Sequence, residues 1–399
     1  MSAYALEWLD LIARWIHFTA GIAWIGTSFY FVWLDDNLTR PRHAQDEQAG
    51  VLGELWSVHG GGFYHNRKYL TGPKGEPLPE TLHWFKWEAY TTWFSGIALM
   101  AVVYWVGAST FLIDPSVMSL TRPEAIAISI ASLVLGWVVY DGLCRLLQRQ
   151  PLLLGVAVFV FLAALAWALL HLFNPQAAYL HIGAIMGTIM VANVAHVIIP
   201  GQRAMLAQIR AGKAVDPLPG IRGKTRSVHN TYLTLPVLFT MISGHYPMTY
   251  QSRFGWLVLL ALGLAGVLVR YFFILSHEKY GRRLVWGLPI AAVVLIAVAA
   301  LAIAPHGSAM AGPVSFAQIA PIVRERCAVC HSAHPTQPGF ASAPNGVLLD
   351  TPEEVRSNAQ RIEAQAVETH AMPLGNVTGM TQRERDEIGA WIARGAEVP

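Results

Sequence analysis

The stretch Cys327-Ala328-Val329-Cys330-His331 divides the chain into two kinds of structure. C-x-x-C followed directly by His is the attachment spacing of a c-type haem. The thiols of Cys327 and Cys330 add to the porphyrin vinyl groups, and His331 lies under the iron as an axial ligand. The other readings of such a pair are half a zinc site or a redox disulfide. A zinc ribbon needs a second cysteine pair, and the chain has only three cysteines, the third being Cys144.

An iron with His on one side commonly takes Met on the other, which raises its potential. The chain offers Met372, in His370-Ala371-Met372-Pro373-Leu374-Gly375-Asn376, ahead of the alternative Met380. Helices flank this loop in the sequence pattern. Thr351-Pro352-Glu353-Glu354 reads as a capping box with Pro at the first helical position. Thr381-Gln382-Arg383-Glu384 reads as a second, opening a helix through Ile388, Trp391 and Ile392 that stops at Gly395. Pro313 to Arg326 supplies an earlier helix. From about Val314 to Pro399 the chain resembles the small class I cytochromes c, with Met372 in the position of the second iron ligand.

The rest of the chain is a different material. A mean hydropathy of +0.41, with 54% hydrophobic and 13% charged residues, is too apolar for a water-soluble chain of 399 residues. The apolar residues gather in eight blocks of bilayer-crossing length, at 11–34, 88–110, 124–143, 152–173, 178–200, 229–243, 254–275 and 284–304. The expectation is an all-α fold: an eight-span transmembrane bundle (1–305), a Gly, Ser, Ala and Pro linker (306–313), and the cytochrome domain (314–399). Seventeen Lys and Arg lie in the connections on one side of the blocks, against Arg122 and Arg253 on the other. The positive-inside rule then puts both termini outside, where c-type haem is attached. The first block lacks a basic leader and a small-residue cleavage site, so it reads as a retained span. The net charge of +3 gives no indication of nucleic acid binding.

Polar residues inside spans are costly, so each is a site candidate. His17, His181 and His196 are candidate iron ligands of a non-covalent haem b, the alternative being interhelical hydrogen bonding. His181 and His196 share one helix, roughly 22 Å apart along its axis. His17 is expected in the same outer layer as His181. Gly183 and Gly187 would let a flat macrocycle or a neighbouring helix approach. An internal cofactor would relay electrons across a core about 30 Å thick. On the basic side, His59-Gly60-Gly61-Gly62-Phe63-Tyr64-His65-Asn66-Arg67-Lys68 reads as a glycine-rich loop with ligand potential at His65. His83, Lys86 and Glu88, entering the second block, are candidates for acid, base and anion anchor; an aromatic membrane boundary would give a similar string. Asp141 and Arg145 are spaced for an i,i+4 ion pair.

The segment Arg14-Trp15-Ile16-His17-Phe18-Thr19-Ala20-Gly21-Ile22-Ala23-Trp24-Ile25-Gly26-Thr27-Ser28-Phe29-Tyr30 resembles the start of the bacterial membrane-bound urate oxidases. His83-Trp84-Phe85-Lys86-Trp87-Glu88-Ala89-Tyr90, the His59–Lys68 string and the order of domains resemble that family too. The resemblance implies oxidation of urate to 5-hydroxyisourate in the bacterial inner membrane. Electrons would pass to a periplasmic cytochrome c domain and on to a respiratory acceptor. It assigns no catalytic residue. Two other classes fit the same domain order: a haem-containing quinol or electron-transfer subunit, and a transporter-like bundle with a tethered cytochrome.

Overall fold

A computed structural model describes residues 3–277, 285–304 and 314–399. Its long helices are α1 (Ala3–Asp36), α3 (Trp87–Leu99, continued by a π-helical stretch Met100–Val106), α4 (Arg122–Leu146), α5 (Pro151–Leu170), α6 (Pro175–Asn193), α7 (Ile199–Arg210), α8 (Leu218–Ile242), α9 (Gly255–His277) and α10 (Gly287–Ala302); a short α2 (Ala44–Gln48) follows α1. Every apolar block expected from the sequence falls on one of them. Among the described residues five spans are long and apolar enough to cross a bilayer: Trp87–Val106, Arg122–Leu146, Pro151–Leu170, Pro175–Arg210 and Gly255–Leu275. The other three blocks differ for identifiable reasons. The apolar run of α1 is diluted by Trp15, His17, Trp24, Tyr30 and Trp33. The first half of α8 carries Arg222, Lys224, Arg226, His229 and Asn230, and α10 has only 16 residues.

Helix α6 is the central strut, with thirteen of its nineteen residues buried. Small residues let its neighbours close in. A Cβ on Gly136 of α4 would lie 2.4 Å from Ile185, and one on Gly183 would lie 2.0 Å from the Thr240 hydroxyl of α8. At the other extreme, α5 is apolar all round and leaves Leu152, Val156, Val160 and Trp167 exposed, as a helix facing lipid would. Beyond α6 the chain does not stop at Pro200 as the 178–200 block implied. A π-helical turn, Val194–Ile198, re-registers the helix, and Pro200 falls at the start of α7, where its missing N–H costs little.

The 35–87 connection holds the departure from an all-α fold. Strands β1 (Val51–His59) and β2 (Gly62–Tyr69) form an antiparallel hairpin. Gly60 and Gly61, at φ 58° and 82°, supply the two left-handed residues of a tight hairpin turn. The glycines read as a ligand loop therefore make a turn. The hairpin is tied down by charge: Lys68 to Asp35 of α1 at 2.5 Å, Arg67 to Asp46 at 2.9 Å, and His65 to the buried Glu54 at 2.9 Å.

Residues 314–399 have their own core, built on Ile319, Val323, Leu349, Val355, Ile362, Ile388 and Trp391. Capping boxes at Ser315, Thr351 and Thr381 open the helices Phe316–Arg326, Pro352–Ser357 and Gln382–Ile392. The expected linker 306–313 lies outside the described residues, as do Lys279, Arg282 and Arg283 of the basic connections.

Glu54 gives a pH test of the hairpin. The Arg42 backbone N–H, 3.0 Å away, holds its carboxyl below the ordinary 4.5; burial opposes this and the His65 ring adds to it. Since the folded value is depressed, the stabilisation is complete above about pH 4.5 and is lost as pH falls through the lowered value. Amide exchange in β1 and β2, corrected for intrinsic rates, should accelerate in that acid window. Glu54→Gln should remove the acid-dependent step; equal acid sensitivity in that variant would assign the step elsewhere.

Candidate functional site

A cavity of about 540 Å³ lies between α1, α3, α6 and α8, within the roughly 300–1,000 Å³ range of small-molecule sites. Its walls are apolar, and Gly21, Gly96, Gly183 and Gly187 all border it. His17 is the imidazole on its surface. The His17 Nδ1 lies 2.8 Å from the Thr92 carbonyl oxygen, which can only accept. The proton is therefore on Nδ1, and Nε2 keeps its lone pair. A Cβ on Gly96 would sit 3.1 Å from the His17 ring, so glycine there makes room for this rotamer. A second hollow of about 490 Å³ shares the wall formed by Trp93, Ile97 and Thr188. His196 borders it, stacked on Trp137 with ring centroids 5.8 Å apart.

His181 is placed differently. It is fully buried, with Nδ1 donating to the Ala177 carbonyl at 2.7 Å and Nε2 accepting from the Ser129 hydroxyl at 2.8 Å. The indole N–H of Trp105 in turn donates to Ser129 at 2.9 Å. Both ring nitrogens are engaged, which is the geometry of a helix-packing histidine. It also does not share a layer with His17. His17 contacts Thr92 and Ser95, whereas His181 sits against Phe173 and against Tyr104, in the π-helical stretch that continues α3. His17, His181 and His196 thus face three separate surroundings.

The sequence candidates on the basic side also separate. His65 is paired with Glu54 and stacked on Trp56 at 4.3 Å. His83 is exposed, edge-on to Phe85, and Lys86 lies over the Trp87 ring at 5.3 Å. Glu88 turns inward, with Oε2 buried and without a hydrogen-bond partner.

Two buried arginines were missed by the sequence reading. Arg226 joins Asp141 at 2.5 Å and Asn193 at 3.2 Å, and lies over the rings of Trp137 and Tyr140. Tyr140 continues the network to His229 (2.8 Å) and Asn193 (3.0 Å), and Asn193 to Asn230 (2.8 Å). The expected Asp141–Arg145 pair is present at 2.7 Å, but Arg145 is exposed. Arg270, stacked on Phe29, is the second. A single charge in the otherwise apolar Gly255–Leu275 was the available signal.

In 314–399 the C-x-x-C-H residues are compatible with a covalent haem. Cys327 and Cys330 are free thiols, and burial pushes Cys327 up to about 12. The His331 Nδ1 lies 3.1 Å from the Val347 carbonyl, which orients the ring and leaves Nε2 for a ligand. Met372 is pinned through its backbone, its N–H donating to Gln365 and its carbonyl accepting from Arg385 at 2.6 Å. Met380 is only 3% exposed and belongs to the hydrophobic core. The loop carrying Met372 rests on the bundle: the turn Leu374–Asn376 meets Ala108–Leu112. A Cβ on Gly375 would lie 2.6 Å from the Asn174 amide nitrogen and 3.0 Å from the Thr110 carbonyl. Among the described residues no group of three or more His, Cys, Asp or Glu forms a metal cage.

Residues 3–304 match the family model described as urate oxidase N-terminal, and the chain belongs to that family. No curated protein and no solved structure matches the chain.

The two partners of Asp141 predict unequal effects. Asp141→Asn leaves the Arg226 charge buried and unpaired, which costs about 3–5 kcal/mol. Arg145→Ala removes an exposed partner and should cost less than about 1 kcal/mol. Combining Asp141→Asn with Arg226→Gln should recover part of the loss. Unfolding in micelles measures all three; equal losses from the two single variants would contradict the assignment.

Proposed function

We propose that this member of the urate oxidase N-terminal family is a membrane-bound oxidoreductase that converts urate to 5-hydroxyisourate and delivers the electrons to a haem c on residues 314–399. The half-reaction is urate plus water giving 5-hydroxyisourate, two protons and two electrons. A haem c, when bound, accepts electrons singly, so each turnover needs two transfers and a downstream respiratory acceptor. Cys327 and Cys330 would attach it, and His331 and Met372 would be its axial ligands, with Val347 and Arg385 fixing their orientation. The bundle uses all eight helical blocks as spans, with the basic connections in the cytoplasm and the cytochrome on the periplasmic side of the inner membrane.

The observation that carries this proposal is the contact of the Met372 loop with the end of the bundle opposite the basic connections. It brings the residues suited to hold haem c against the segment that matches the family. Within the bundle, His17 is the histidine suited to an additional haem b: it borders the large cavity with Nε2 free. His181 has no free nitrogen, and His196 borders the separate hollow. The positive ends of Lys and Arg side chains supply the anion recognition that urate requires.

The test is anaerobic addition of urate to the purified full chain in detergent, following the reduced cytochrome band. Reduction at a rate dependent on urate is the expected result. No reduction by urate, with reduction by a quinol, would make the chain an electron-transfer subunit instead. Cys327→Ala or Cys330→Ala should abolish covalent haem. Met372→Ala should lower the potential while attachment persists; a shift found only in Met380→Ala would exchange the ligands.

Gly375→Asn tests the docking. Asn tolerates the left-handed backbone at φ 58°, but its side chain would meet Asn174 and Thr110. Urate-driven reduction should slow at least tenfold, with haem content, potential and reduction by dithionite unchanged. An unaltered rate would remove the contact from the electron route.

A further inference from the structure

Three arginines are buried in the described structure: Arg226, Arg270 and Arg385. Arg226 is neutralised by Asp141 and hydrogen-bonded to Asn193. Arg385 donates to the carbonyls of Ala366 and Met372. Arg270 differs from both. It is 7% exposed, and its Nε and Nη2 have no hydrogen-bond partner. The charge of Asp36 acts on it through space, but no carboxylate closes on either nitrogen. A buried guanidinium edge with both nitrogens unsatisfied is among the least favourable arrangements a span can contain, and such groups are retained where a ligand completes them.

The geometry names the kind of ligand. The Nε–H and the neighbouring Nη–H lie along one edge of the guanidinium and point the same way, the fork that pairs with two adjacent in-plane acceptors. The Phe29 ring lies 4.1 Å from the guanidinium carbon and fixes the plane of that fork. Phe29 is one helical turn from Ile25, which lines the 540 Å³ cavity, and on the same face of α1. Arg270 therefore lies on the basic side of the cavity. Helix α1 packs broadly on α3 and only narrowly on α9, so the seam between α1 and α9 is the yielding contact through which a ligand would reach the closed fork.

We propose that Arg270 is the anchor of a substrate site between α1, α8 and α9, its Nε/Nη2 edge binding a planar purine anion through two adjacent acceptors. The purine being urate rests on the function proposed above. Lys keeps the charge but loses the fork, and Leu removes both. Leu also removes the buried charge and its unsatisfied nitrogens, so it is expected to fold at least as well.

The experiment compares wild type, Arg270→Lys and Arg270→Leu as full chains in detergent. Three quantities are measured: equilibrium binding of urate and of xanthine, KM and kcat for urate-driven cytochrome reduction, and reduction by dithionite as a control of the haem itself. Arg270→Lys should raise KM at least tenfold with a smaller change in kcat. Arg270→Leu should lose purine binding by at least a hundredfold, with dithionite reduction and covalent haem content unchanged. Added guanidinium should partly restore binding to Arg270→Leu, which a packing role would not produce. Wild-type KM and binding in both variants would overturn the anchor while leaving urate oxidation intact. Purine binding by wild type that depends on Arg270, without cytochrome reduction, would uphold the anchor and overturn the oxidase. No purine binding by wild type overturns the anchor. Should Arg270→Leu fail to insert, the KM of Arg270→Lys decides.

Discussion

The buried pair of Arg226 and Asp141 is the constraint around which the basic half of the bundle is organised. Taking a guanidinium and a carboxylate out of water costs several kcal/mol per ion. The cost is offset only if every remaining donor and acceptor finds a partner. Asn193 does much of this, accepting from Arg226 while its amide group donates to Tyr140 and Asn230. These residues come from α4, α6 and α8, so satisfying one charge fixes the relative rotation of three helices. The tight approaches at Gly136 and Gly183 occur on the same three helices. Polar matching at one end and small-residue contact along the shaft thus specify one packing, and the apolar faces of α5 and α10 are left to contribute area without direction.

That packing creates the cavity. With α6 held centrally against α4 and α8, α1 and α3 pair with each other and meet α6 through Trp93 and Thr188, whose side chains hydrogen-bond at 3.2 Å. The glycines at 21, 96, 183 and 187 remove side chains where the helices face one another, and a void remains. His17 reaches it because Gly96 has no Cβ and Thr92, in the α-helical part of α3, offers a carbonyl oxygen. The hollow by His196 lies behind the Trp93 wall. Two spaces of similar size separated by one indole are a consequence of how α3 stands off α6.

Much of this was legible from sequence, and the failures have physical causes. Bilayer-length apolar runs need no tertiary information, so all eight blocks located helices. The capping boxes at Thr351 and Thr381 are local chemistry and appear as read. The hairpin was missed because Gly60-Gly61-Gly62 was weighed as a ligand loop; the alternation on either side of two turn glycines was the better signal. The apolar block at 178–200 ends where apolar residues thin out, and the continuation through a π-turn into α7 cannot be seen in composition. The roles of the histidines were out of reach, because a free lone pair depends on neighbours far away in sequence: Thr92 for His17, Ser129 for His181, Tyr140 for His229. Arg226 was counted as a loop charge because its partner lies 85 residues away.

The polar groups left over in the bundle are as informative as those that are matched. Asn193, Tyr140, His181 and Arg226 are satisfied and serve packing. Glu88 Oε2 and two nitrogens of Arg270 are buried and are not. A sequence that surrounds Arg226 with Asp141, Asn193, Trp137 and Tyr140 has the means to resolve Arg270 as well, yet leaves its Nε and Nη2 open. The imbalance falls at the basic end of the cavity, whereas the loop of Met372 meets the opposite end at Thr110 and Asn174. In the proposed function, binding of an anion and delivery of electrons would be separated along the length of the helices. Such a separation would let a ligand site at that end change without disturbing the contact of the Leu374–Asn376 turn with Ala108–Leu112.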